Sequence, residues 1–380
     1  MIEGLDKLSK KVIEACIECP SCRQECAFLR RYGTPKEIAG RIDPQAEATL
    51  TLAYECSLCG LCEAVCPVDL RPQDLFLEMR REAVRQDHGK FPKHKALLNY
   101  EKRGTSKRYT WYGLPQGCDT VLFPGCALPG ARPETVIRLF EHLKRNKPEL
   151  GIVLDCCSKP SHDLGRDDYF QVVFGEMRVY LVDKGVKTVL VACPNCYRMF
   201  KEFGQPLEVL TVYEVLAENK SNSQRVRPGA ITIHDPCVTR FEAAVQEAVR
   251  TLIRKQGGTI EEMEHQGAKT LCCGEGGAVD SLAPDLAGAW GERRKSESRG
   301  RPILTYCSGC VNHLNPLTPT HHVLDYFFDP EATSSGKIKA SKAPLTYWNR
   351  LRLKKRFRKM ITPGFSRERV FQMNPRTIIL

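Results

Sequence analysis

The sequence predicts an α+β multidomain chain: an α-helical, cysteine-rich N-terminal domain, two duplicated α/β half-domains built on parallel sheets, and a basic C-terminal tail. Three observations predict it. Eight of the nineteen cysteines fall in two N-terminal runs set among helical segments. After residue 118, short apolar strands alternate with helices, which implies parallel sheets with right-handed crossovers. Five cysteines recur twice in that stretch, at offsets of 111, 116, 116, 114 and 114 residues, the mark of an internal duplication. The expected units are 1–110 (with a linker over 87–117), 118–225, 226–335 and 336–380.

Residues 1–15 read as a short amphipathic helix leading into Cys16-x2-Cys19-x2-Cys22-x3-Cys26. A second run follows at Cys56-x2-Cys59-x2-Cys62-x3-Cys66-Pro67. Each has the spacing of a bacterial-type ferredoxin ligand run, in which the fourth cysteine ligates the other cluster. One cubane [4Fe-4S] cluster would then use Cys16, Cys19, Cys22 and Cys66, and the other Cys56, Cys59, Cys62 and Cys26. Zinc knuckles have no use for a third cysteine at this spacing. Between the runs, Thr34-Pro35 reads as a helix cap with proline at the first helical position. Residues 45–54 are Ala/Leu-rich, and 71–86 carry Leu75, Met79 and Val84 at near-helical spacing. The ferredoxin domain is therefore expected to be helical. Residues 87–117 are polar, basic and rich in Gly and Tyr, which reads as a linker; Cys118 at its end reads as a buried free thiol.

From Asp119 the pattern changes. Strands at 120–123, 151–155 and 188–192 each end just before Cys126, the pair Cys156-Cys157, or Cys193 and Cys196. Strands at 230–234, near 259–263 and at 302–306 stand in the same relation to Cys237, Cys272-Cys273, and Cys307 and Cys310. Ligands of parallel sheets bind at the carboxyl ends of the strands, so topology alone gathers each set of five at one edge. Adjacent cysteines do not easily share one small tetrahedral ion, but both reach a larger iron–sulfur cluster. Gly274, Gly276 and Gly277 suit a loop passing close to a bulky cofactor; a phosphate-binding loop would leave the cysteine pair without a role. His234 and His162 lie near the expected edge and are candidate proton donors, a packed histidine being the plainer reading of each.

The net charge of +12 is uneven: residues 336–380 hold 13 Lys/Arg against the single acid Glu368, so the rest sums to zero. Residues 347–360 interleave bases with apolar residues, of which Leu353, Phe357, Met360 and Ile361 align. Such a tail suits an anionic membrane surface or an acidic protein partner, and nucleic acid less well. The first seven residues lack a signal-peptide core, no stretch approaches about 18 apolar residues, and the recurrent C-x2-C units are metal-ligand spacing, not a disulfide framework. The expectation is a cytoplasmic protein of an anaerobic setting, its tail peripheral on the inner face of the cell membrane.

These motifs resemble the CCG-domain iron–sulfur proteins, in particular the D-type heterodisulfide reductase chains, in which a ferredoxin-like part precedes the CCG-bearing part. The resemblance covers about residues 10–330 and accounts for 18 of the 19 cysteines. It implies an oxidoreductase acting on a sulfur group, as one member of a larger complex, with two cubane and two noncubane [4Fe-4S] clusters. Cys126, Cys156, Cys157, Cys193 and Cys196 would hold one noncubane cluster, and Cys237, Cys272, Cys273, Cys307 and Cys310 the other. The cubanes would relay electrons to these twin centres, which reduce or form a disulfide. The redox partner would be a flavoprotein, a hydrogenase-type subunit or a membrane cytochrome or quinone subunit. Ser158 stands where the family has glycine. The family also holds electron-transfer subunits of glycerol-3-phosphate and glycolate dehydrogenases, which implies a second reading: a carrier toward quinone with no chemistry of its own.

Overall fold

The computed structural model of the chain describes residues 2–218 and 229–370. The expected boundary at 225/226 and the tail end at 371–380 lie outside these residues. Among the described residues, no strand precedes residue 111. The helix Ile2–Ala15 packs on Pro35–Gly40 and Pro72–Arg85, burying Leu5, Val12, Phe28, Leu50, Phe76 and Met79 in a second core that Leu164, Val279 and Leu286 of the later halves complete. The cap read at Thr34-Pro35 is a capping box. Thr34 Oγ1 accepts from the Glu37 N–H at 3.2 Å, and the Thr34 N–H donates to Glu37 Oε2 at 2.6 Å.

The strands are β1 (Trp111–Leu114), β2 (Thr120–Phe123), β3 (Gly151–Leu154), β4 (Thr188–Val191), β5 (Glu208–Thr211), β6 (Thr232–His234), β7 (Ile303–Thr305), β8 (Thr320–His322) and β9 (Phe365–Arg367). One sheet runs β5-β4-β2-β3-β1-β9 and the other β6-β7-β8. Strands β2 to β5 pair in parallel, as do β6 to β8. A single core spans both halves, from Phe123, Phe140 and Leu190 to Val249, Leu304 and Leu324. Across it, Arg132 Nε donates to Asp325 Oδ2 at 2.5 Å with both side chains buried.

Three expectations are corrected. Residues 87–117 are not a linker: Lys95–Gly104 is a helix, and β1 is fully buried and pairs antiparallel with β3. The basic tail is not a separate arm. Its helix, Leu345–Met360, buries Leu353, Phe357 and the following Ile361 in the common core, and β9 pairs antiparallel with β1. Arg369 then reaches Asp155 at 3.0 Å, both wholly buried. The strand expected near 259–263 survives only as an isolated bridge, Ile231 to Ile260. Its acids are drawn elsewhere, Glu261 to Arg301 and Glu262 to Arg250, each at 2.7 Å. No helix among the described residues is long and apolar enough to cross a membrane.

Candidate metal centres

The sheets put the expected site residues at strand ends. Each of β2, β3, β4, β6 and β7 stops two or three residues before a cysteine: Cys126, Cys156, Cys193, Cys237 and Cys307. Cys193 and Cys307 cap the helices Pro194–Phe203 and Ser308–Leu314, so Cys196 and Cys310 sit in first turns. The Tyr213 hydroxyl lies 2.8 Å from the Ala192 carbonyl and 3.1 Å from that of Tyr306. These residues directly precede Cys193 and Cys307, so one side chain holds the two C-x2-C turns side by side.

Within the first set, Cys126 meets Cys156 while Cys196 meets both Cys157 and Cys193. The Cys156 hydrogen bond, with the nearby Arg350 guanidinium and Tyr100, brings the Cys126 thiol down to about 7. Within the second, Cys272 meets Cys237 and Cys273, and Cys310 meets Cys273 and Cys307. The Cys237 and Cys273 hydrogen bonds, joined by the Gly274 and Gly276 N–H groups, hold the Cys272 thiol far below the usual range. Between the sets lies a cavity of about 1170 Å³. Every one of the ten cysteines except Cys272 lines it, together with Lys159, Asn195 and Glu275. Asn195 Nδ2 lies 3.8 Å from Cys307 Sγ, across the join of the halves.

The N-terminal cysteines lie in two adjoining neighbourhoods, with Cys62 beside both. Cys22 has Cys16, Cys19 and Cys66 as neighbours; burial first, and then those sulfurs, push its thiol up to about 11. Cys26 instead lies beside Cys59, and burial raises its thiol to about 12. Cys62 neighbours Cys56, Cys59 and Cys26. This inner set abuts the second five-thiol site: Cys26, Cys59 and Cys237 all pack against the cluster of Leu61, Leu271, Cys272 and Trp290.

Glycines after Cys273 serve that junction. A side chain at Gly276 would lie 2.8 Å from the Ser57 carbonyl oxygen, and one at Gly277, whose φ is +64°, 2.6 Å from that of Cys56. They admit the inner ferredoxin run, backbone against backbone, where sequence reasoning expected a close approach to cofactor. At the matching place Ser158 has φ 55° and a buried hydroxyl without a partner.

The donor chemistry suits iron–sulfur clusters. Each five-residue set offers sulfur alone, and His234 lies with Cys273 and Cys310 within 4.8 Å of one another, both its ring nitrogens buried and without a partner. A buried N–H so placed is an orphan that a sulfide or thiolate would satisfy. His234 does not line the cavity, and neither does His162, whose Nδ1 lies 3.0 Å from Asp163 Oδ1 among Phe170 and Phe203. His162 is a packed histidine, and His234 stands behind the second set of sulfurs. Cys118 is a buried thiol donating to the Thr120 carbonyl at 3.2 Å, apart from every set.

Sequence reasoning missed the polar residues of the cavity. Lys159 pairs with Asp163. The Glu275 carboxylate lies against Gly309, between Cys307 and Cys310, and is raised by its confinement. The glutamate inside the Cys-Cys-Gly-Glu-Gly-Gly run was a readable signal. The lysine after Ser158 was not, because its role depends on the facing half.

The chain matches the 4Fe-4S dicluster domain over residues 12–70 and the cysteine-rich domain CCG over 120–201 and 231–315. It is 27% identical to the B-type chain of the fumarate reductase (CoM/CoB) of Methanothermobacter marburgensis, over 82% of this chain and 70% of that one. It is 24% identical to the D-type chain of the dihydromethanophenazine:CoB–CoM heterodisulfide reductase of Methanosarcina barkeri, over 80% and 88%. With the EtfAB:quinone oxidoreductase of Syntrophomonas wolfei the identity is 24%, over 64% of this chain and 40% of that one.

Proposed function

The chain belongs to the CCG-domain iron–sulfur proteins of the D-type heterodisulfide reductase kind, and we propose that it is the subunit in which electrons from a partner meet a disulfide held between twin five-thiol sites. It is an iron–sulfur oxidoreductase. The supporting observation is that the first set of five cysteines and four of the second line one cavity, while the fifth, Cys272, packs behind them against the inner ferredoxin set.

The ligands in this reading are Cys16, Cys19, Cys22 and Cys66 for an outer cubane and Cys56, Cys59, Cys62 and Cys26 for an inner one. Cys126, Cys156, Cys157, Cys193 and Cys196 hold the first noncubane cluster, and Cys237, Cys272, Cys273, Cys307 and Cys310 the second. Clusters so held would supply single electrons and iron atoms able to take a sulfur each. The protein's own residues set the order and the enclosure. The outer cysteines are partly exposed beside Ile17 and Val68, which are 63% and 38% exposed. That apolar rim is where a donor protein docks. Strand ends fix nine of the ten cysteines of the twin sites around one volume. Asn195 sits across the join, and Lys159 and Glu275 are the groups that orient a polar substrate near the sulfurs. The helix Leu345–Met360 turns Leu345, Trp348, Arg352, Lys355 and Lys359 outward, a face suited to an anionic membrane surface or an acidic partner protein.

The test is turnover. Loaded anaerobically and supplied with reduced viologen, the chain is expected to consume a small disulfide and release two thiols per two electrons. Full iron loading with no disulfide consumed would overturn this reading in favour of a carrier that passes electrons toward quinone.

A further inference from the structure

The basic C-terminal helix sends one of its cations inward. Arg350 is 4% exposed, and its guanidinium lies over the rings of Tyr109, at 4.8 Å, and Tyr100, at 5.6 Å. The Tyr100 hydroxyl donates to the Cys126 carbonyl at 3.1 Å. On the other side stands Gly104, in the helix Lys95–Gly104. A β-carbon there would lie 3.0 Å from the Cys156 β-carbon, 3.7 Å from Cys156 Sγ and 3.6 Å from Arg350 Nη2. A side chain there would crowd Cys156, so glycine keeps the guanidinium and the first five-thiol site close.

The helix is locked in this position. Next to Arg350, Asn349 donates to the Gly130 carbonyl at 2.8 Å, and Leu353 and Phe357 are buried in the common core. Arg350 does not line the cavity. It faces the sulfurs of the first site from behind, out of reach of anything bound between the halves.

Its charge is uncompensated. Buried Arg132, Arg250, Arg294 and Arg369 each pair with a carboxylate (Asp325, Asp235, Glu297 and Asp155), and buried Arg80 and Arg240 donate to main-chain carbonyls. Among the described residues no carboxylate pairs with Arg350, and its buried Nη1 has no hydrogen-bond partner. An unpaired buried cation is strongly disfavoured unless negative charge is supplied nearby. Here the group next to it is a set of cysteine sulfurs that become thiolates on binding metal.

We propose that Arg350 is a positioning residue for the charge of the first five-thiol site, making the cluster held by Cys126, Cys156, Cys157, Cys193 and Cys196 easier to reduce. The inference rests on the reading that these five thiols hold a cluster. Adding one electron would add one negative charge with no proton, and a fixed guanidinium beside the sulfurs would favour the more negative state. Arginine serves because its charge does not titrate and its plane stacks on the two tyrosines.

Potentiometric EPR titration of the anaerobic, iron-loaded full chain tests this in wild type, R350Q and R350K. In R350Q, one of the signals from the five-thiol sites is expected to lose about tenfold in its one-electron reduction equilibrium, a downward shift of about 59 mV, with iron content and the other signals unchanged. R350K keeps the charge, and the same signal stays within about threefold of wild type on that scale. Unchanged potentials in fully loaded R350Q would overturn the proposal. So would an equal shift in R350K, which would trace the effect to packing. If R350Q binds less iron, full loading of R350K supports a role for the charge and an equal loss refutes it. A wild-type protein with cubane signals alone would remove the cluster reading itself, before any variant is compared.

Discussion

Replacing Cys272 by alanine is expected to remove about four of about sixteen irons and to abolish disulfide turnover, while the first five-thiol site keeps its iron. Cys272 is wholly buried and is the one member of the ten that faces away from the cavity. Its sulfur joins Cys237 to Cys273 and packs with the inner ferredoxin residues Cys59 and Leu61. The loss therefore falls at the junction between electron delivery and chemistry. Cys118→Ala is the control. That thiol is as buried as the ligands but meets only the backbone of Thr120 and Gly151, so iron content should not change. Iron and acid-labile sulfide analysis of both variants checks this; full iron in Cys272→Ala would remove that cysteine from the ligand set.

Arg80→Met is expected to cost about 3 kcal/mol of stability and to loosen the N-terminal domain from the rest. Arg80 is fully buried, its plane 4.9 Å from the Tyr54 ring centroid. Its guanidinium donates to four carbonyls: Ala53 at 3.0 and 2.9 Å, Cys56 at 2.6 Å, Asp163 at 2.7 Å and Gly277 at 3.0 Å. The first two belong to the ferredoxin domain, Asp163 to the first half and Gly277 to the second. One side chain therefore satisfies buried oxygens from all three parts. Methionine keeps the apolar stem and removes the side-chain donor from all four oxygens, of which Ala53 keeps the Cys56 N–H. A lower urea midpoint at unchanged slope is the expected reading, with faster proteolysis between the domains; a midpoint equal to wild type would show that water takes over the carbonyls.

Arg80 also marks the limit of what sequence patterns can say. An arginine on the helix Pro72–Arg85 reads as a solvated charge, because its acceptors come from segments up to 197 residues away. The cysteines were legible for the opposite reason. Tight C-x2-C spacing is local, and parallel strands deliver their carboxyl ends to one edge whatever the detailed packing. The edge of the first sheet was not legible. Tyr112 pairs with Arg367, two short segments embedded in polar, basic surroundings with no periodicity to flag either. The tail's stripe of Leu353 and Phe357 was visible, but not that it turns back onto the core. Nor could spacing show that Gly276 and Gly277 make room for the ferredoxin run. Glycine reports a close approach and leaves the approaching group unnamed.

Metal analysis of the intact chain, purified without oxygen and joined to EPR of its reduced and oxidised states, bears most directly on the twin sites. Four clusters require about sixteen irons with matching sulfide, and signals of two kinds, cubane and noncubane. About eight irons with cubane signals alone, or a colourless protein carrying zinc, would contradict the assignment of both five-cysteine sets.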